Sequence, residues 1–225
     1  MKNRKIFLSF SIVVIIGLQS LGLARDAAPT TATLMAEVYR IMGNIKDTKY
    51  QHETRVLEEK GLYHVDCSGF VGYVLMRACP NHFEQMRKTM SRRRLTASNF
   101  FNFFDMMRAK SKTDWVIIDD AAHIQPGDII VWKKEPPAPG NTGHIMFADS
   151  ASTQTASRQF SVAIIDSTTK PHSNDTRKQG QTGLGRGVIW LDTDEQNRPI
   201  GYRRNAPDSR LTAAPIIIVR LKKSE

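Results

Sequence analysis

Cysteine is scarce in this 225-residue chain, which has only Cys67 and Cys79. So few exclude a disulfide-stapled framework of the kind that holds small secreted domains together. No histidine pair stands at a ligand spacing such as H-E-x-x-H, and Cys67 has no neighbouring cysteine to share an ion, so no metal centre is expected. No internal repeat is present. The only basic run of note, "SRRR" at 91–94, is short, and no nucleic-acid-binding motif accompanies it. It reads as a solvated face, and nucleic acid is not an expected partner. The glycines of "GLGRG" (183–187) do not follow a strand and open a helix, so they make a weak case for a phosphate loop.

Long apolar runs are missing too. The N-terminal block "IFLSFSIVVIIGL" falls short of the roughly 20 residues that span a bilayer. Lys2, Arg4 and Lys5 precede it, and Gly22 and Ala24 follow it at the spacing of a cleavage site. This is the layout of a secretory signal peptide over residues 1–24. The expected product is exported to a periplasm or beyond the cell, with no stable membrane span. Its flexible start would cover 25–32, and one domain would fill the remainder of 25–225. The formal charge is +10, and removing Lys2, Arg4 and Lys5 leaves the chain basic. A basic exported protein is drawn to anionic surfaces such as cell-wall polymers.

What is present falls into two halves. "TLMAEVYRIMGNI" (33–45) places Leu34, Val38, Ile41 and Ile45 on one helical stripe, with Thr33 as a candidate N-cap. Residues 46–64 are polar and mixed, and read as loop. Cys67, Phe70, Val71, Val74, Leu75 and Ala78 then form one helical face, started by Asp66 and stopped by Pro80. Helical periodicity continues through 81–110, where "ASNFFNFFDMMRA" reads as a core helix. After Trp115 come short β-branched segments, "WVIID", "DIIVW", "GHIMFAD", "FSVAIID", "GVIWL" and "APIIIVRL", separated by turn residues. Residues 167–187 read as a long polar loop. Helices first and an antiparallel sheet of about five to six strands after give an α+β fold.

Cys67 has four candidate roles. A bond to Cys79 is excluded by the helix, which separates the two by about 18 Å at 1.5 Å per residue, against the ~7 Å a disulfide tolerates. A metal site lacks co-ligands. Simple packing is the ordinary role of a buried cysteine. However, Cys67 opens its helix, where unpaired N–H groups and the helix dipole favour a thiolate and offer donors to an oxyanion. A nucleophile needs a base. Among six histidines, His144 stands at the start of an apolar strand just after Gly143. Asp149 lies five residues on and faces the other way. Asp166 ends the next strand, which brings it close to His144 in an antiparallel pair.

"DCSGFV" (66–71), "QPGDIIVW" (125–132) and "GHIMFAD" (143–149), in that order, resemble the NlpC-type cysteine peptidases, papain-like proteins related to the CHAP amidases. The resemblance spans roughly 47–170. It implies a helix carrying Cys67 as nucleophile against a sheet carrying His144 as general base, with Asp166 as the third polar residue. It implies oxyanion donors at the backbone of Cys67 and Ser68, and no cofactor. It implies hydrolysis of amide bonds in the peptidoglycan stem peptide, by a peptidase or an amidase. Asp128 of "PGD" is expected to cap a turn, and Tyr50 to take the place of the family's tyrosine beside the thiol. Residues 81–115 stand as a helical insertion. His172 and Arg177 are candidates for binding a substrate carboxylate, because Arg presents a matching fork. Other functions on the same scaffold are an acyltransferase, a protein-directed effector, and a non-catalytic wall-binding module.

Overall fold

The computed structural model describes residues 30–110, 112–138 and 140–222. The expected signal peptide, and residues 25–29 of the expected flexible start, lie outside them. Among the described residues no helix is long and apolar enough to cross a membrane. The chain folds as α+β, with four helices over 31–108 followed by a large sheet.

Helix α1 (Thr31–Asn44) starts earlier than its stripe indicated. Thr30, not Thr33, is the N-cap. Thr30 and Thr33 bond each other's backbone N–H in a capping box, and two free amides are satisfied at once. Leu34, Met35, Val38 and Ile41 are buried. The expected loop after it holds a small sheet instead. Its strands are β1 (Asp47–Lys49), β2 (Arg55–Leu57) and β3 (Leu62–His64), in the order β1-β3-β2. Strands of three residues are too short to show a periodicity.

Helix α2 (Cys67–Ala78) matches its predicted stripe, with Cys67, Phe70, Val71, Val74 and Leu75 buried. The Asp66 carboxylate accepts the Gly69 N–H at 2.7 Å and caps it. Pro80 ends one helix and begins another. It occupies the first position of α3 (Pro80–Thr89), where its missing N–H costs nothing. Helix α4 (Ala97–Arg108) buries Phe100, Phe101, Phe103, Phe104 and Met107 against the sheet. Each such side chain contributes about 1.5–3 kcal/mol of apolar burial.

The main sheet has nine strands rather than five to six, all paired antiparallel. These are β4 (Trp115–Ile117), β5 (Ile129–Ala138), β6 (Asn141–Ala148), β7 (Thr153–Ala156), β8 (Gln159–Thr168), β9 (Gly183–Thr193), β10 (Pro199–Arg203), β11 (Thr212–Ala213) and β12 (Ile216–Leu221). The order is β11-β10-β9-β8-β6-β5-β12-β4, with β7 on β8. Alternation divides the sheet between two cores. Ile129, Val131, Ile145, Phe147 and Ile165 meet the helices. Ile130, Trp132, Met146, Ile164, Ile189 and Ile218 fill a second core on the other face.

Two loops gain structure that spacing did not reveal. Buried Asp128 accepts the Gln125 N–H at 2.8 Å, as expected of a turn cap, and also receives a fork from Arg220 of β12 at 2.7 and 2.8 Å. The predicted 167–187 loop shrinks to residues 169–182, because "GLGRG" is the first half of β9. Its glycines admit neighbours rather than phosphate. A Cβ on Gly185 would stand 2.5 Å from the Arg177 Nε, and one on Gly187 2.7 Å from the His172 Cβ.

Candidate active site

The first turn of α2 presents Cys67. In that turn the N–H of Gly69 goes to the Asp66 side chain and that of Phe70 to the Asp66 carbonyl. Among the described residues no acceptor meets the N–H of Cys67 or Ser68. Both are the free donors that a helix start leaves, at the positions expected for an oxyanion site. Both residues line a cavity of about 190 Å³ together with Tyr50, His52 and Gly143.

Antiparallel pairing brings His144 and Asp166 together. Phe147 of β6 stands opposite Ile165 of β8, so the start of β6 and the end of β8 share one end of the sheet. His144 and Asp166 meet there, with the His144 Nε2 2.5 Å from the Asp166 Oδ2. Gly143, at φ +134°, allows the strand to close on its neighbour, since a Cβ there would collide with the Trp132 carbonyl. Gly143 lines both the Cys67 cavity and an adjoining one, of about 290 Å³, that holds His144.

The charges point the same way. Burial pushes the His144 pKa down. The nearby Cys67 side chain, a hydrogen bond to Asp166 and the charge of Asp166 outweigh it, and the net shift is upward. Since Nε2 is committed to Asp166, Nδ1 is the nitrogen left for the sulfur. Tyr50 closes the thiol from a third side. Its pKa rises through burial and the nearby Cys67 and Asp66 side chains, with Arg94 opposing.

Asp166 is wholly buried. Burial raises its pKa, but the charge of His172, hydrogen bonds from His144 and His172, and the charge of His144 hold it well below the usual carboxylate range. The His172 Nε2 lies 2.8 Å from the same oxygen that His144 uses, and the Arg177 Nη2 donates to the other oxygen at 2.9 Å. Arg177 is held in turn by Asp175, at 2.7 and 2.8 Å, and by the Gly183 carbonyl at 2.7 Å. His172 and Arg177, the candidates for a substrate carboxylate, both engage Asp166 in this structure. Both are buried behind His144, and the carboxylate they bind is Asp166. The His172 Nδ1 is buried without a partner among the described residues.

His144, Asp166 and His172 form the one candidate metal cluster among the described residues. Their Nε2–Oδ2 separations of 2.5 and 2.8 Å are hydrogen-bond lengths. Donor atoms around a tetrahedral zinc at about 2.0–2.2 Å stand farther apart than that. Arg177 also brings a positive charge onto Asp166, so the set reads as a clamped carboxylate rather than a cation cage.

The other acids fall into place around this centre. Asp149 bonds the Tyr39 hydroxyl at 2.9 Å and Arg186 at 2.6 Å, away from His144. Asp66 is buried beside Cys67 and receives the Ser68 hydroxyl at 3.0 Å, His52 at 3.1 Å and an ion pair from Arg94. Arg94 belongs to the "SRRR" run, and spacing alone placed it on a solvated face. A partner 28 residues away leaves no local pattern. Asp175 was missed as well, although its place two residues before Arg177 is the one signal that pointed to it. No protein-family model, curated protein or solved structure matches this chain.

Proposed function

We propose that the protein is an exported cysteine hydrolase that cleaves amide bonds in peptidoglycan stem peptides. One observation carries this reading: His144 bonds Asp166 in a cavity that adjoins the one Cys67 lines, the two sharing Tyr50, His52 and Gly143, with the sulfur at a helix start. The N-terminal layout of the sequence supports export. The resemblance of "DCSGFV", "QPGD" and "GHIMFAD" to NlpC-type peptidases supports the substrate class.

The chemistry follows from the geometry. His144 takes the Cys67 proton, and the thiolate attacks the amide carbonyl. The N–H groups of Cys67 and Ser68 face the developing oxyanion. The C–N bond breaks as the His144 imidazolium protonates the departing amine, leaving a thioester on Cys67. Water, deprotonated by His144, then releases the acid and restores the thiol. Asp166 keeps the imidazole turned toward sulfur, and Arg177 and His172 keep Asp166 in place.

The test is digestion of purified sacculi with wild type and Cys67→Ala. The account expects muropeptide fragments from the first alone, with both proteins folded by circular dichroism. Equal release by the variant rejects the assignment.

A further inference from the structure

Two unlike cavities adjoin the one that Cys67 lines. On the His144 side, the 290 Å³ cavity is polar, with His52, Asn141, Thr168, Thr169 and Arg204 on its walls. The Arg204 Nη1 bonds only the Thr168 hydroxyl at 3.3 Å and the Lys170 carbonyl at 3.1 Å. Among the described residues no carboxylate pairs with it. On the other side, Ser68 and Arg94 line both the Cys67 cavity and a groove of about 270 Å³ along α2. That groove is apolar, built from Gly69, Gly72, Tyr73 and Met76 of α2 together with Phe83 of α3 and Leu95.

Shape and chemistry narrow the occupant. From Ser68 to Met76 the helix rises about 12 Å. The groove is therefore elongated, and its volume exceeds the ~150 Å³ that accommodates benzene in an apolar cavity. Met76 is 46% exposed at its far end, an apolar side chain left in solvent. Arg93 on the rim has no ion-pair partner among the described residues, and its aliphatic stem can lie along an apolar chain while its head stays in water. The direction of the scissile bond is fixed by the reaction. The departing amine must be near His144, which protonates it, so it occupies the polar cavity. The acyl carbon bonds the Cys67 sulfur, whose cavity shares Ser68 and Arg94 with the groove.

We propose that, beyond stem-peptide amides, the same site takes a further substrate class, in which an aliphatic acyl chain, seated in the α2–α3 groove, is joined by an amide bond to a carboxylate-bearing amino acid or peptide, seated against Arg204. This rests on Cys67 being the nucleophile. The thiolate attacks the acyl carbon, the C–N bond breaks, His144 protonates the amine, and water frees the fatty acid. A bare stem peptide leaves the groove empty, because its alanine, glutamate and diaminopimelate side chains are short or charged. A chain of roughly ten carbons fills the groove, and each methylene it buries adds to binding.

The experiment compares N-decanoyl-glutamate with N-acetyl-glutamate. Calorimetry on Cys67→Ala reads binding without chemistry, and wild-type kcat/KM reads cleavage. The expected result is at least about ten-fold tighter binding and faster cleavage of the decanoyl amide. Met76→Glu, which sets a charge in the groove, reduces that advantage to under about three-fold. Met106→Glu, at an exposed methionine on α4, keeps the advantage. Decanoyl-selective binding without cleavage upholds the groove and overturns the hydrolase reading. Cleavage of both amides at equal rates, or an advantage that survives Met76→Glu, overturns the groove.

Discussion

The two ends of helix α2 carry the two cysteines, and they differ in everything except burial. Cys67 is 4% exposed and Cys79 1%. Cys79 sits at the helix C-terminus with its N–H on the Leu75 carbonyl, and burial pushes its thiol up to about 12. Burial by itself therefore makes a cysteine inert. Cys67 has the opposite helix end, two free N–H groups, a tyrosine hydroxyl and an imidazole. The contrast separates what packing does from what a site does. Apolar neighbours suppress the thiolate at Cys79, whereas Cys67 stands at the helix end where unpaired N–H groups gather.

The comparison breaks most sharply at the sulfur itself. Cys67→Ala is expected to lower turnover by about 10⁴-fold or more, while Cys79→Ala keeps turnover within about two-fold and costs on the order of 1 kcal/mol of stability. Steady-state rates and urea melts of both variants check this. Next is Asp166→Asn, with an expected loss of about 10²–10⁴-fold in kcat, because an amide no longer holds the imidazole in its working tautomer. Asp166 also raises the His144 pKa. Removing its charge lowers that pKa, so the alkaline limb of the kcat/KM profile moves to lower pH. An unmoved limb contradicts the assignment. The folded-state pKa of Asp166 is depressed. Its contribution to stability is therefore full above the unfolded value near 3.9 and is lost as pH falls through the folded pKa. Acid melts of wild type against Asp166→Asn converge at the bottom of that window.

Smaller effects test the support. Gly185→Ala forces a methyl group against Arg177, and about 1–3 kcal/mol of stability is expected to go with it, read as a fall in Tm. Arg94→Ala removes one of the charges that offset Asp66 beside the thiol. Because Arg94 is partly exposed, the pair contributes no more than about 1 kcal/mol. Alkylation of Cys67 is then expected to slow by about five-fold at most, measured by mass spectrometry of the labelled peptide.

The places of Cys67, His144 and Asp166 were legible in the sequence because each lies near an element boundary with its own local signature. Asp66 marks a helix start, Gly143 precedes a strand start, and Asp166 follows the apolar run of β8. The α+β class was legible for the same reason, since the stripe of α2 and the β-branched segments have opposite periods. The support behind the site was not. His172 and Arg177 lie on an irregular loop, and only the packing of that loop over Gly185 and Gly187 turns them inward. Arg94 and His52 reach Asp66 from separate segments. Strands as short as β1, β2, β3 and β11 carry too few residues to alternate, so the small sheet and part of the large one stayed hidden. The groove beside α2 depends on where α3 packs, which no spacing within either helix states.

The most direct measurement is the rate of iodoacetamide alkylation at each cysteine, near pH 7, in wild type and in His144→Ala. With its pKa near 12, Cys79 is a thiolate on the order of one part in 10⁵ at that pH. The account predicts that Cys67 is labelled at least about a hundred-fold faster than Cys79, and that His144→Ala removes most of the difference. Equal labelling of the two ends of α2 contradicts it.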